Sequence, residues 1–262
     1  MTDWVRVLVN SPVLKGLINA IPEYSLVGDS VFFTEEQFPW SQELEAHWEV
    51  IRQELDQVLE YAPELPNFQD IMPRQQTISQ DDGWKTYFFH AFGFTADKNC
   101  QQCPQTWDIL KRIPGMQVAF FSILAPGKHI PEHDGKHKGV IRYHLALRVP
   151  EPRENCWIEV DGQRRHWEEG KSLIFDDTFM HQVRNDTDGY RVVLFLDIAR
   201  PLRFPLSAVN WLVFRGLRFS PLVQSAKANH QSWEKRFEAS QRQEEPLTPV
   251  GERTASAKTT VS

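Results

Sequence analysis

The sequence predicts a mainly β (α+β) domain of sandwich, jelly-roll or barrel type, with helical segments at both ends. Three observations carry this. Between Trp84 and about Ile198, short β-branched and aromatic runs recur at close spacing, separated by turn residues. No helical pattern alternates with them, so a doubly wound parallel sheet is not expected. The 262 residues include 17 Phe and 9 Trp, and aromatic side chains suit pleated, half-buried surfaces.

The elements follow in order. Residues 1–80 read mainly as helix and loop. Trp4, Val5, Leu8 and Val9, then Val13, Leu14, Leu17 and Ile18, have helical apolar spacing interrupted at Pro12. Residues 41–60 give the clearest helix, with Ser41 as its N-cap, Glu43 and Glu45 in the first turn, and Leu44, Trp48, Ile51, Leu55 and Leu59 as its buried stripe. The strand runs are WKTYFFHAF, QVAFFSIL, GVIRYHLALRV, CWIEV, KSLIF, HQV and YRVVLFLDI, and Asp161-Gly162 between two of them is a hairpin signal. Residues 202–224 are apolar and aromatic with Arg203, Arg215 and Arg218 interspersed. They read as a helix packed on the domain, or as one lying at a membrane interface. From about Arg236 large apolar residues disappear and disorder is expected. The organisation is thus a helical extension (1–80), a β domain (81–201), an apolar helical segment (202–235) and a tail (236–262).

Charge and cysteines narrow the classes. A net charge of −6 offers no basic face for nucleic acid. Three cysteines without a secretory signal point to a reducing compartment. Cys100-Gln-Gln-Cys103 lacks the second pair that a zinc site wants and reads as loop thiols. The N-terminal apolar stretch is too interrupted to span a membrane. The protein is expected in the cytoplasm, with peripheral membrane contact through 4–22 and 202–223 as a second reading.

The chemistry lies in the histidines. His129, His133, His137 and His144 fall within sixteen residues, and His181 follows SLIFDDTFM. His133 is placed in a loop between two strands, and His181 begins a strand after Asp176-Asp177-Thr178. Two imidazoles at adjacent strand ends suit an open non-haem iron site. Arg191, on an otherwise apolar strand, either faces solvent or meets an anion, since a buried unpaired charge is costly.

RYHLAL at 142–147, WEEGKSLIFDDTFMHQV at 167–183 and RVVLFLDIARP at 191–201, with weaker matches at 83–89 and 122–129, resemble the aspartyl/asparaginyl β-hydroxylase family. The resemblance covers roughly residues 40–201. It implies a double-stranded β-helix (jelly roll, cupin-like) and an oxygenase using Fe(II), 2-oxoglutarate and dioxygen. It implies His133 and His181 as metal ligands and catalytic centre, Arg191 for the far carboxylate of 2-oxoglutarate, Ser122, Arg142 and His144 as further cosubstrate contacts, and Trp84 at the pocket. Arg142 and His144, two apart, share one face of a strand.

Where the wider superfamily carries a carboxylate two residues after the first histidine, this chain has Gly135, as do the hydroxylases of the human type and certain iron halogenases. The neighbouring Asp134 either orients a metal-bound water or is a turn residue. Gly135 favours an Asp or Asn side chain of a peptide or protein as substrate. The resemblance also reaches a bacterial branch that hydroxylates the 2-position of lipid acyl chains, through IEVDGQR at 158–164, LINAIP at 17–22 and SAVNW at 207–211. A non-catalytic module binding an acidic ligand is the third reading.

Overall fold

The computed structural model describes residues 16–17 and 20–244, with side chains through 240. Most of the apolar segment 4–22 and the chain beyond 244 therefore lie outside the described residues.

Eight consecutive strands build two antiparallel sheets: β4 (Met116–Leu124), β5 (His129–His133), β6 (Val140–Arg148), β7 (Cys156–Val160), β8 (Gln163–His166), β9 (Ser172–Phe175), β10 (His181–Asn185) and β11 (Arg191–Ala199). One sheet contains β9-β6-β11-β4 and the other is β5-β10-β7-β8. Three further strands extend the first sheet. β1 (Phe32–Phe33) pairs with β9, while β2 (Trp84–Ala91) and β3 (Phe94–Thr95) continue beyond β4. The chain passes repeatedly from one sheet to the other, which makes the fold a jelly roll, the double-stranded β-helix expected from the sequence.

β11 lies between β6 and β4 and is covered on both faces, so its sequence is a nearly continuous apolar run. On the outer face, Tyr143 meets Trp40, with ring centroids 5.0 Å apart. Helices α1 (Ser41–Ala46) and α2 (Trp48–Leu59) flank this face, and α2 packs on β6. Leu44, Ile51, Leu55 and Val58 are their buried side chains. α2 also buries Glu54, whose carboxylate accepts the backbone N–H groups of Gln105 and Thr106 at 2.9 and 2.8 Å. These donors open α4 (Pro104–Leu110), which follows α3 (Asp97–Gln102). The otherwise unpaired N–H groups of the first helical turn thereby find an anion.

Several expectations are corrected. The helix predicted over 41–60 is two helices, because the His47 ring lies 2.8 Å from the Glu43 carbonyl and leaves the helical backbone there. Ser41 is inside α1 and Trp40 holds the cap position. His133 is in no loop: it ends β5 and pairs with His181. Residues before 80 contribute β1 to a sheet edge as well as helices. Cys100 and Cys103 are buried in and just after α3, not in a loop, and burial pushes the Cys100 thiol up to about 12. The Asp161-Gly162 turn forms as expected, with positive φ at both residues joining β7 to β8.

After β11 the chain forms α5 (Leu206–Leu217) and α6 (Pro221–Glu244). α6 runs past Arg236, where order was expected to end. Phe237 keeps it attached, edge-on to Tyr61 at 5.7 Å, and the Trp233 indole N–H one turn earlier donates to the Glu64 carbonyl at 3.0 Å. Among the described residues no helix is long and apolar enough to cross a membrane.

Candidate active site

His133 and His181 are directly paired across β5 and β10, with ring centroids 4.1 Å apart. Each ring is oriented by its own chain. His133 Nδ1 lies 2.8 Å from the Pro131 carbonyl and His181 Nδ1 lies 2.9 Å from the Phe179 carbonyl. A carbonyl only accepts, so Nδ1 carries the proton in both rings and both Nε2 lone pairs are left available. Burial is the main cause pulling both pKa values down, His181 to about 3, with the neighbouring histidine and Arg142 adding to it there. Both imidazoles are therefore neutral at physiological pH, the state a metal requires. This is the arrangement by which metal-binding histidines are commonly held.

The third position is shaped by Gly135. A Cβ there would lie 2.3–2.5 Å from the carboxylate atoms of Asp177, and Gly135 N–H donates to the Asp177 carbonyl at 2.7 Å. Asp177 thus fills the room in which a side chain at 135 would begin. Burial raises its carboxyl to about 6 against the opposing pull of Arg142, which it meets at 2.9 Å. Among the described residues no group of three or more His, Cys, Asp or Glu side chains is arranged to hold a metal. Among the described residues the two imidazoles are the candidate donors that the fold brings together. Asp134 is a half-exposed residue paired with Lys136, in an irregular stretch just after β5.

The other predicted residues lie on one face of the larger sheet, turned towards the smaller one. Cross-strand pairing aligns Ser122 with Val193 and Phe195 with His144, and Arg142 and Arg191 share that parity. Trp84 and Ser122 meet each other, the indole N–H donating to the hydroxyl at 3.0 Å. Arg142, implied by the resemblance as a cosubstrate contact, is already paired within the protein. It is bound to Asp177 and, through Nε at 3.0 Å, to Asp197, and lies over the Phe195 ring.

Arg191 and His144 have no such compensation. Among the described residues, Nε and Nη1 of Arg191, both ring nitrogens of His144 and Nε1 of Trp167 are buried without a hydrogen-bond partner. The three residues are neighbours: the Arg191 guanidinium lies 4.6 Å from the Trp167 ring and the His144 ring 6.1 Å from it. Burial pulls the Arg191 pKa down to about 10, which leaves it charged at neutral pH. Burial, then Arg191, keeps His144 neutral. The Phe175 ring connects this cluster to the histidine pair, 5.2 Å from His144 and 5.8 Å from His181. Sequence reasoning missed Trp167, Asp177 and Asp197. The first two lie inside the motif at 167–183, but their roles depend on partners distant in sequence.

This geometry has relatives. Residues 45–201 match the aspartyl/asparaginyl β-hydroxylase family profile. The chain is 45% identical over 217 residues to the ornithine lipid ester-linked acyl 2-hydroxylase of Rhizobium tropici, covering 83% of this chain and 77% of that protein. It is 30% identical over 164 residues to the aspartyl/asparaginyl β-hydroxylase of Homo sapiens, covering 60% of this chain but 21% of that protein. With the mouse aspartate β-hydroxylase domain-containing protein 2 it shares 34% over 161 residues, covering 52% and 46% respectively. A profile match across more than half of the chain and a relative aligned along most of it give one answer: the protein belongs to the aspartyl/asparaginyl β-hydroxylase family of hydroxylases.

Proposed function

We propose that the chain is an Fe(II)- and 2-oxoglutarate-dependent dioxygenase that hydroxylates the 2-position of a lipid acyl chain. The observation that carries the cosubstrate is the buried cluster of Arg191, His144 and Trp167 beside the histidine pair. A buried guanidinium without a partner costs several kcal/mol, on the order of 3–5, unless an anion meets it. A carboxylate is the planar anion that a guanidinium fork fits best. The donor set suits iron: two neutral imidazoles with free Nε2 atoms, and a Gly where a third side chain would stand.

Iron with 2-oxoglutarate and dioxygen supplies the oxidising power for attack on an unactivated C–H. The chain's own residues bind and orient. His133 and His181 would hold the metal through Nε2, their rings fixed by the Pro131 and Phe179 carbonyls. Arg191 would take the distal carboxylate of 2-oxoglutarate, with His144 and the Trp167 indole N–H as neighbouring polar groups. Trp84 holds the Ser122 hydroxyl in place at the same face. Phe175, Phe195 and Phe120 line the face and exclude water.

The lipid reading draws on the longer and more identical alignment, which extends well outside the family core to a protein that acts on an ester-linked acyl chain of ornithine lipid. An Asp or Asn side chain of a peptide is the second reading. Gly135 supports it through the resemblance to the human-type enzymes. The purified protein should convert 2-oxoglutarate to succinate with Fe(II), oxygen and an ornithine-type lipid, and the lipid should gain one oxygen by mass spectrometry. His181→Ala should abolish both iron binding and turnover. Turnover that survives this change removes the ligand assignment. Succinate formation with a peptide but with no lipid hands the site to the second reading.

A further inference from the structure

α5 is apolar on its outer side as well as its buried one. Leu206, Asn210 and Phe214, four residues apart, are buried on one side. The opposite side carries Trp211, Leu212 and Arg215 to solvent, with Trp211 and Leu212 58% and 59% exposed. Phe204 before the helix and Phe219 after it are 80% and 73% exposed. Leu26 joins them, since its N–H donates to the Pro201 carbonyl and Ser25 bridges to Leu202. Of the eight exposed large apolar side chains among the described residues, five belong to this flank. Scattered single exposures are ordinary, but such clustering marks an interaction surface.

The charge of the flank identifies the partner. No Asp or Glu occurs from Ile198 to Trp233. At the chain's average of 35 acidic residues in 262, about five would be expected in that span. Arg200 there is buried and paired with Asp176, while among the described residues Arg203, Arg215, Arg218 and Lys227 are not ion-paired. Of the two acidic residues beside Leu26, Glu23 and Asp29, the latter pairs with Lys138. Among the described residues, Arg203, Arg215 and Arg218 form no ion pair, and all three are exposed. Arg215 lies against the Trp211 ring at 5.3 Å. Exposed Trp, Leu and Phe flanked by unpaired arginines is the composition of a helix lying in a bilayer interface, its apolar side chains in the acyl boundary and its guanidiniums among anionic headgroups. A chain of net charge −6 would be repelled by such a surface in most orientations. This flank is the one that would approach it.

The buried side of α5 ties the flank to the active site. Asn210 donates to the Gly139 carbonyl at 2.9 Å and its Oδ1 lies 2.8 Å from His137 Nε2. Phe214 packs edge-on against the His137 ring at 5.5 Å. These residues belong to the loop that leaves His133. We infer that α5 docks the protein on the surface of a bilayer containing anionic lipid through its Trp211, Leu212 and Arg215 side, with the loop after His133 packed directly behind the helix. This inference rests on the lipid reading for its purpose. It makes the membrane the place where the acyl chain is taken up.

The test uses the full chain and vesicles of phosphatidylcholine with and without phosphatidylglycerol, read by co-sedimentation. The wild-type protein should bind the anionic vesicles, and less so as salt rises. Trp211→Ser with Leu212→Ser should weaken binding by about ten-fold or more. Arg215→Gln should weaken it by about five-fold on anionic vesicles, with little change on neutral ones. Both variants should hydroxylate detergent-dispersed lipid at the wild-type rate, because neither touches the metal or cosubstrate residues. Absence of wild-type binding overturns the docking, as does unchanged binding by the double variant. A concentration-dependent dimer that the double variant loses, without vesicle binding, assigns the face to a second copy instead. Vesicle binding together with no turnover of dispersed lipid leaves the docking standing and removes the lipid substrate.

Discussion

Two arginines stand at opposite ends of β11, and their surroundings differ. Arg191 opens the strand and Arg200 follows its last residue; they are 1% and 2% exposed. Arg200 is fully engaged: it pairs with the buried Asp176, and donates to the Lys138 carbonyl at 2.8 Å and the Gly28 carbonyl at 2.9 Å. Arg191 has an indole face beneath it and no protein acceptor for Nε or Nη1. Burying a guanidinium is costly in either place. At Arg200 the fold supplies the compensation, so the residue serves folding. At Arg191 the fold withholds it, so the residue serves a ligand. Burial alone therefore does not separate a structural arginine from a binding one; the count of satisfied donors does.

The largest expected effect is at the structural end. Arg200→Ala should destabilise the protein by about 3–5 kcal/mol in denaturant unfolding, because Asp176 is left buried without its partner. A loss below about 1 kcal/mol would place Arg200 with Arg191 and dissolve the contrast.

Asp177 sharpens it next. It adjoins Asp176 but pairs with Arg142, which Asp197 shares, and its carboxyl is raised to about 6 from the usual 3.8. The folded state thus holds a proton between those values that the unfolded state has released. The stability contributed is present below pH 3.8 and is lost as pH rises to about 6. In the metal-free protein, the stability difference between wild type and Asp177→Asn should fall across that window by on the order of 3 kcal/mol. A flat difference curve would show that Asp177 ionises at an ordinary pH.

A smaller effect is expected at Gly135. Gly135→Ala places a methyl 2.3–2.5 Å from the Asp177 carboxylate, so about 1–3 kcal/mol of overpacking is expected. Asp177→Ala should relieve it, which makes the double variant non-additive in thermal unfolding. Additive costs would mean that the two residues do not share that space.

The smallest stability effect is expected at Arg191. Arg191→Met should change the unfolding free energy of the metal-free protein by less than about 1 kcal/mol, or raise it, because an unpaired buried charge is removed. The same change should erase the rise in melting temperature that Fe(II) with 2-oxoglutarate gives the wild type under argon. Destabilisation comparable to that of Arg200→Ala would make Arg191 structural.

Much of the site was legible because it depends on local pattern. Arg142 and His144 share a face through the two-residue period of a strand, and Arg191 stands out in an apolar run by its charge. The strand carrying His133 was not legible. HIPEH has few apolar residues and contains Pro131, which a central strand would not tolerate; β5 is an edge strand, where a missing N–H costs little. The break at His47 was hidden too, because it comes from a side chain competing for a helix carbonyl.

The sequence by itself determined a mainly β domain of sandwich, jelly-roll or barrel type and a charged residue on the apolar strand β11, since these follow from periodicity. The jelly roll itself and the pairing of the two histidines as candidates were implied by the family resemblance. The tertiary structure decided which charges are already spent. Asp177 and Asp197 bind Arg142 from 35 and 55 residues away, while among the described residues no acceptor meets Nε or Nη1 of Arg191. Electrostatic compensation is set by distance in space and by burial, and neither can be read along the chain. The same holds for α5. Its composition fits a buried helix as well as an interfacial one, and only packing shows that Asn210 and Phe214 face inward while Trp211 and Leu212 are left outside.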